Sequence, residues 1–207
     1  MAINELIDGF YRFHKEQFEP AESLFRELAT KGQSPKVCMV ACSDSRVSPA
    51  ITLDCDPGQI FEIRNVANLV PPQEVDNAHH GTSAALEFAV NGLQVEHIVV
   101  LGHAQCGGIQ ALLDFDPKAE AKSQYIDNWM RLAESARRRV LATQAQATAT
   151  DKARACEQAA VLVSLENLMT FPFVSEKVAD GRLTLHGWYL DIAEGLLYAY
   201  HPDSTRF

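Results

Sequence analysis

Two short runs, residues 37–41 and 97–101, constrain the fold of this 207-residue chain more than any other feature. Both are dominated by apolar side chains without polar alternation, and the second is rich in β-branched residues. A strand that is apolar on both sides has to be covered on both faces, as in a parallel sheet packed between helices. Helical periodicities fill much of the remaining chain, so the expected class is α/β, a central mostly parallel β-sheet flanked by helices. Residues 59–64 alternate like a further strand after a Pro57-Gly58 turn, 183–190 read as another, and 196–200 as a closing strand or helix. Helices are expected over 48–55, where Pro49 follows the N-cap Ser48, and over 79–91, 106–113, 121–140 and 152–169. A last short helix opens at Phe171-Pro172. The alanine- and threonine-rich stretch 142–150 reads as a mobile joint or a helix extension. There is no internal repeat, and the length suits one domain, 1–207.

Residues 1–30 form an N-terminal helical arm. Its apolar positions Ile3, Leu6, Ile7, Phe10, Phe13, Phe18, Leu24, Phe25 and Leu28 recur at helical spacing, and Pro20 divides them between two helices. So much aromatic surface on a terminal arm calls for a cover, and another subunit would supply it. The net charge of −9 argues against a nucleic-acid partner. The one basic cluster, Arg131 with Arg137, Arg138 and Arg139, reads as a solvated helix face beside Glu134. The N-terminus lacks the pattern of a signal peptide, and the apolar runs are too short to span a bilayer. A cytoplasmic location without membrane partners is therefore expected. In that reducing setting the five cysteines are thiols or metal ligands rather than disulfides. Cys38, Cys55 and Cys156 have the surroundings of packing residues.

In open parallel sheets ligands bind beyond the carboxyl ends of strands, where the strand order reverses. That rule singles out the segments following residues 41 and 101. The first reads CSDSR, with Cys42, Asp44 and Arg46; the second reads GHAQCGG, with His103, Cys106, Gly107 and Gly108. Two thiolates and an imidazole make a Cys₂His set for zinc, and three protein ligands leave the fourth position that a catalytic site needs. His103 and Cys106 are close enough in sequence for one turn to present both. Cys106 also precedes a helix, whose N-terminus favours a thiolate. Asp44 and Arg46 are placed for a bidentate carboxylate–guanidinium pair.

These segments, with RNVANLVPP at 64–72, resemble the hallmark blocks of the β-class carbonic anhydrases. The likeness continues through CEQAAVLVSLENLMTFPFV at 156–174 and HGWYLDIAEGLL at 186–197, and so covers nearly the whole chain. It implies a sheet of four parallel strands in order 2-1-3-4 with a fifth at the edge, and zinc held between strands one and three by Cys42, His103 and Cys106. It also implies dimers, with the arm wrapped around the partner, from which a larger homo-oligomer could be built. The implied reaction is reversible hydration of carbon dioxide to bicarbonate, with Asp44, fixed by Arg46, accepting the proton of a zinc-bound hydroxide. Because two thiolates offset the charge of the ion, activity should rise on the alkaline side of neutrality.

One bacterial branch of the family has a regulatory bicarbonate pocket of tryptophan, arginine and tyrosine. Here Arg64 is present, but Met39 and Leu190 occupy the other two places, so an open site without that pocket is expected. The chain is more similar to the plant-type branch, which Gln33 and Phe61 match, while Phe88 stands where that branch commonly carries tyrosine. An apolar cleft for the small substrate is therefore expected from Gln33, Phe61, Val66, Leu86 or Phe88, with the amides of Gly107 and Gly108. Among possible proton carriers, His79 and His80 are adjacent, whereas His97 and His186 belong to strands and read as structural.

Four other readings compete. A phosphate loop fails because Gly108 and Ile109 stand where lysine and a hydroxyl residue are required. A cysteine–histidine acyl-transfer enzyme would use Cys42 or Cys106 as nucleophile and work without metal. A noncatalytic zinc module, or a hydrolase of a related small molecule such as carbon disulfide, would share the ligand set.

Overall fold

The computed structural model describes residues 3–76, 78–115 and 123–207. Its centre is one sheet of strands β1 (Val37–Cys42), β2 (Ile60–Asn65), β3 (His97–His103), β4 (Thr184–Asp191) and β5 (Leu196–Ala199), in the order β2-β1-β3-β4-β5. The first four run parallel and β5 pairs antiparallel with β4. The two apolar runs become the middle strands β1 and β3, whose side chains are buried on both faces. Chain direction from β1 goes outward to β2 and then back to β3 on the other side, so the order reverses at β1.

The arm consists of α1 (Ile3–Phe13), continued by a π-helical turn at His14–Phe18, and α2 (Leu24–Lys31), with the break at Pro20. Phe13 and Phe25 meet edge to face across that break at 4.7 Å. Neither helix buries a residue in this chain, and Ile3, Leu6, Ile7, Phe10 and Tyr11 are exposed. α3 (Pro49–Thr52) is shorter than the expected 48–55, because Leu53 and the left-handed Asp54 turn the chain towards β2. α4 (Gly81–Glu87) is followed by a π-helical turn at Phe88–Gly92. α5 (Gly107–Leu113) starts directly after Cys106.

The expected helix over 121–140 is broken into α6 (Ile126–Met130), a 3-10 turn and α7 (Glu134–Thr143); its positions 121 and 122 lie outside the described residues. The stretch 142–150 supplies the end of α7, a short turn, and the start of the next helix, so part of it does extend helices. There α7 ends, and the hydroxyl of Thr148 accepts from Asp151 N at 3.1 Å to cap α8 (Ala149–Leu168). α9 (Pro172–Ala179) carries its proline at the first turn, as expected. Arg137 corrects the reading of a solvated basic face. Its side chain is only 15% exposed, donating to Glu134 Oε1 and to the carbonyl of Phe115. Arg138 and Arg139 do face solvent.

Helix α8 crosses the sheet over two glycines. A Cβ on Gly102 would lie 2.5 Å from Val161 Cγ2, and one on Gly187 would lie 3.0 Å from Leu165 Cδ1. The missing side chains let α8 settle against β3 and β4, completing a core with Cys38, Val40, Ile98, Val100 and Val161. A second cluster packs α5, α7 and α8 around Cys42, Cys106 and Cys156. Cys38 and Cys156 are buried packing residues, whereas Cys55 is only partly buried. Among the described residues no helix is long and apolar enough to cross a membrane.

Candidate metal centre

β1 ends on Cys42 and β3 ends on His103, and the strands are neighbours, so both side chains emerge together at the reversal of strand order. Beyond His103 the chain doubles back. Ala104 N donates to Leu190 O at 2.9 Å, Gln105 takes a left-handed φ of 57°, and Cys106 becomes the N-cap of α5. A left-handed conformation costs a non-glycine residue about 1–2 kcal/mol. Here it brings Cys106 round beside His103.

The ligand atoms of Cys42, His103 and Cys106 all lie within 4.8 Å of one another, and all three residues are buried. His103 Nδ1 donates to the carbonyl of Ala104 at 2.8 Å, which fixes the tautomer and leaves Nε2 as the donor lone pair. Nε2 is buried without a hydrogen-bond partner. A buried nitrogen in that state is costly unless something coordinates it. Two thiols and an unpaired imidazole nitrogen fit a soft divalent ion such as zinc.

The thiols also respond to each other. A hydrogen bond from Cys106, helped by the amide of Ala67 at 3.4 Å, brings Cys42 down to about 4. The same contact with Cys42, with burial, pushes Cys106 upward. The amides of Gly108 and Ile109 at the start of α5 do act to lower Cys106, as expected of a helix N-terminus, but the contact with Cys42 and burial outweigh them. A cation between the sulfurs would take the place of the proton between them.

Asp44 caps a short turn beside Cys42. Its Oδ1 accepts from Arg46 N at 2.9 Å and Nε at 3.0 Å, and its Oδ2 accepts from Nη2 at 2.7 Å. The Arg46 side-chain hydrogen bonds hold the Asp44 carboxyl well below the usual carboxylate range. Arg46 Nη2 also reaches the carbonyl of Gln105 at 3.1 Å, tying the two ligand loops together. Arg64 donates to the carbonyls of Cys42 and Asp44 at 3.0 and 2.7 Å. It thus braces the ligand loop.

The expected cleft residues divide into two groups. Val66 is exposed next to Ala67, and a Cβ on Gly108 would lie 2.8 Å from Val66 Cγ1, so these two sit by the ligand loops; Gly107 is exposed at the start of α5. Gln33, Phe61 and Phe88 are not brought to this chain's own centre. Phe61 pairs in register with Cys38, four residues before Cys42 on the neighbouring strand, or about 13 Å along the sheet. Phe88 packs on Phe61 at 5.9 Å, and Gln33 precedes β1 at its start. Leu86 is fully buried and belongs to the core. His97 and His186 bond to each other at 3.2 Å, and His80 meets Asp76 at 2.6 Å on the surface.

Several contributors were not legible from residue type. Ala67 and Asn68 both take left-handed φ, held by the Asn65 side chain, which accepts from Leu69 N and donates to Leu69 O. That turn aims Ala67 N at the Cys42 sulfur. Glu157, in the middle of α8, is buried with Oε1 accepting from Cys106 N at 3.0 Å and Oε2 accepting from the Tyr189 hydroxyl at 2.7 Å. Its sequence signal was only an acidic residue beside small and apolar ones.

Comparison with known proteins agrees with this geometry. A family profile described as carbonic anhydrase matches residues 37–197. Beta carbonic anhydrase 3 of Arabidopsis thaliana is 38% identical over 203 residues, covering 98% of this chain and 78% of that protein. The structure of the β-carbonic anhydrase CcaA superposes with a TM-score of 0.91 at 33% identity, covering 99% of this chain and 97% of that one. One of two tetrameric β-carbonic anhydrases of the ascomycete Sordaria macrospora gives 0.77 at 29% identity, over 95% and 92% of the two chains. With its strand order, its Cys-His-Cys group and these relatives in agreement, the chain belongs to the β-class carbonic anhydrases.

Proposed function

We propose that this enzyme catalyses the zinc-dependent, reversible hydration of carbon dioxide to bicarbonate and a proton, with Cys42, His103 and Cys106 as ligands and Asp44 as the orienting carboxylate. The observation that carries the reading is the convergence of those three ligand atoms, with a buried, unpartnered His103 Nε2 among them. When bound, zinc supplies the Lewis acidity that makes a nucleophile from water near neutral pH. Three protein donors are the complement of a catalytic rather than a closed structural site.

The remaining work falls to the chain. Oδ1 of Asp44 accepts twice from Arg46, but Oδ2 accepts only once and keeps a lone pair, so the carboxylate can still accept from a hydroxyl nucleophile and set its orientation. Arg46 keeps Asp44 ionised, and hence an acceptor, across the neutral range. Buried apolar residues beneath the loops exclude water from the ligand side.

A homo-oligomer built from dimers completes the reading. Its supports are the uncovered apolar face of the arm and the tetrameric state named for the Sordaria relatives. In such a dimer Gln33, Phe61 and Phe88 would line the partner's cleft, which accounts for their distance from their own ligands. A reducing, cytoplasmic location suits a site that depends on free thiolates.

The test is stopped-flow hydration at about pH 8.5 with zinc quantified, in wild type and Asp44→Asn. The variant should keep its zinc and lose roughly 10²-fold or more in turnover. Unchanged activity would remove the role given to Asp44. Zinc without hydration would favour a noncatalytic module or, if carbon disulfide were consumed, the sister hydrolase. Activity in a zinc-free preparation would point to thiol chemistry instead.

A further inference from the structure

We propose that Glu157 is the positioning residue for the Cys106 ligand, and that Tyr189 holds it to that task. The proposal rests on the reading of Cys106 as a metal ligand and adds what keeps that ligand in place. Glu157 sits within α8 and is 4% exposed. A buried carboxylate is costly to keep unless strong donors meet both oxygens. Both donors are present: the Cys106 amide at 3.0 Å and the Tyr189 hydroxyl at 2.7 Å.

The first bond ends on the backbone of the ligand itself. Cys106 follows the strained Gln105 and precedes α5, so its amide has no partner within the helix. Without Glu157 the turn would be free to unwind and take the sulfur with it. The second bond comes from β4, the strand that already receives Ala104 N through Leu190 O. Tyr189 is itself fixed, with the Arg154 guanidinium 5.8 Å above its ring. Arg154 is in turn paired with Asp191, whose Oδ1 accepts from Ala193 N and Glu194 N at 3.0 and 3.2 Å. The ligand loop is thus held from α8 and from β4 through one carboxylate.

Glutamate accepts from both donors, whereas glutamine offers one acceptor and one donor, so the Tyr189 hydroxyl would have to turn round and accept. Glutamine should therefore substitute well, and alanine should not.

The experiment measures zinc release to a chromogenic chelator from the folded, zinc-loaded oligomer, together with the visible spectrum of the cobalt-substituted protein. Glu157→Ala should release zinc about 10–100-fold faster and alter the cobalt–thiolate bands. Glu157→Gln should stay within about threefold of wild type, and Tyr189→Phe should fall between. Leu168→Ala, a core truncation at the far end of α8, should lower stability while leaving the release rate unchanged. Wild-type release and spectrum in Glu157→Ala would overturn the proposal, as would glutamine behaving like alanine. If Glu157→Ala does not fold, Tyr189→Phe decides alone, and a wild-type rate there overturns the proposal. A wild-type protein that never binds zinc would instead refute the metal reading, so the two failures are distinct.

Discussion

Replacing Gly102 by alanine tests whether the descent of α8 onto the sheet organises the metal loop. The added Cβ would lie 2.5 Å from Val161 Cγ2, where carbon atoms prefer roughly 3.5–4 Å. Valine cannot swing away, because its branched side chain has one favoured rotamer in a helix. The helix or strand must then move, at about 1–3 kcal/mol, the usual cost of overpacking. For a chain of this size that is a fall in Tm of about 2–4 °C per kcal/mol. Val161→Ala alone should cost roughly 1–3 kcal/mol by leaving a cavity. In the double variant the new methyl group occupies that cavity, so its cost should approach that of Val161→Ala and fall short of the sum by at least about 1 kcal/mol. Urea unfolding at fixed protein and zinc concentration gives the four stabilities of the cycle. Effects that add within about 0.5 kcal/mol would refute close packing as the reason for glycine at this position. Because Gly102 adjoins His103 and α8 carries Glu157, Gly102→Ala should also speed zinc release.

Other consequences are simpler. Gln105→Gly should relieve the left-handed turn and hold or raise stability by up to about 1 kcal/mol, whereas Gln105→Val should lower it and reduce zinc content; equal behaviour of the two would show that the turn is unstrained. Burial pushes the Cys38 and Cys156 thiols from 9.0 up to about 12. The unfolded chain therefore releases these protons first, so stability is full below pH 9 and falls as pH rises towards 12. Each thiol should remove about 1–2 kcal/mol by roughly pH 10.5, and Cys156→Ala should show a shallower decline in urea titrations; an unchanged slope would contradict this. Phe10→Asp, on the exposed face of α1, should lower the mass seen by light scattering at micromolar concentration. An unchanged mass would show that the arm does not hold the oligomer.

The central strands and the Cys42-His103-Cys106 group were readable because each depends on local pattern. An apolar run without alternation can satisfy its faces only inside a sheet, and ligand types at strand ends keep their chemistry wherever the chain goes. Helix ends were harder to read. No proline or glycine marks the break between α6 and α7, and the corner before α8 depends on the capping hydroxyl of Thr148. Arg137 looked like a surface charge because a run of arginines does not reveal which one faces the carbonyl of Phe115.

The amino-acid sequence alone determined the α/β class, the Cys42-His103-Cys106 set and the proximity of Asp44 to Arg46, since two residues in one short loop can hardly avoid each other. Only the tertiary structure decided that Phe61 and Phe88 lie away from their own ligands and that Arg64 braces the Cys42 loop. It also decided that a helical glutamate more than fifty residues from Cys106 accepts from the Cys106 amide. The physical reason is that hydrogen-bond partners and burial belong to surfaces brought together by packing. At Gly102 and Gly187 the absence of two side chains lets α8 come close enough to make that contact.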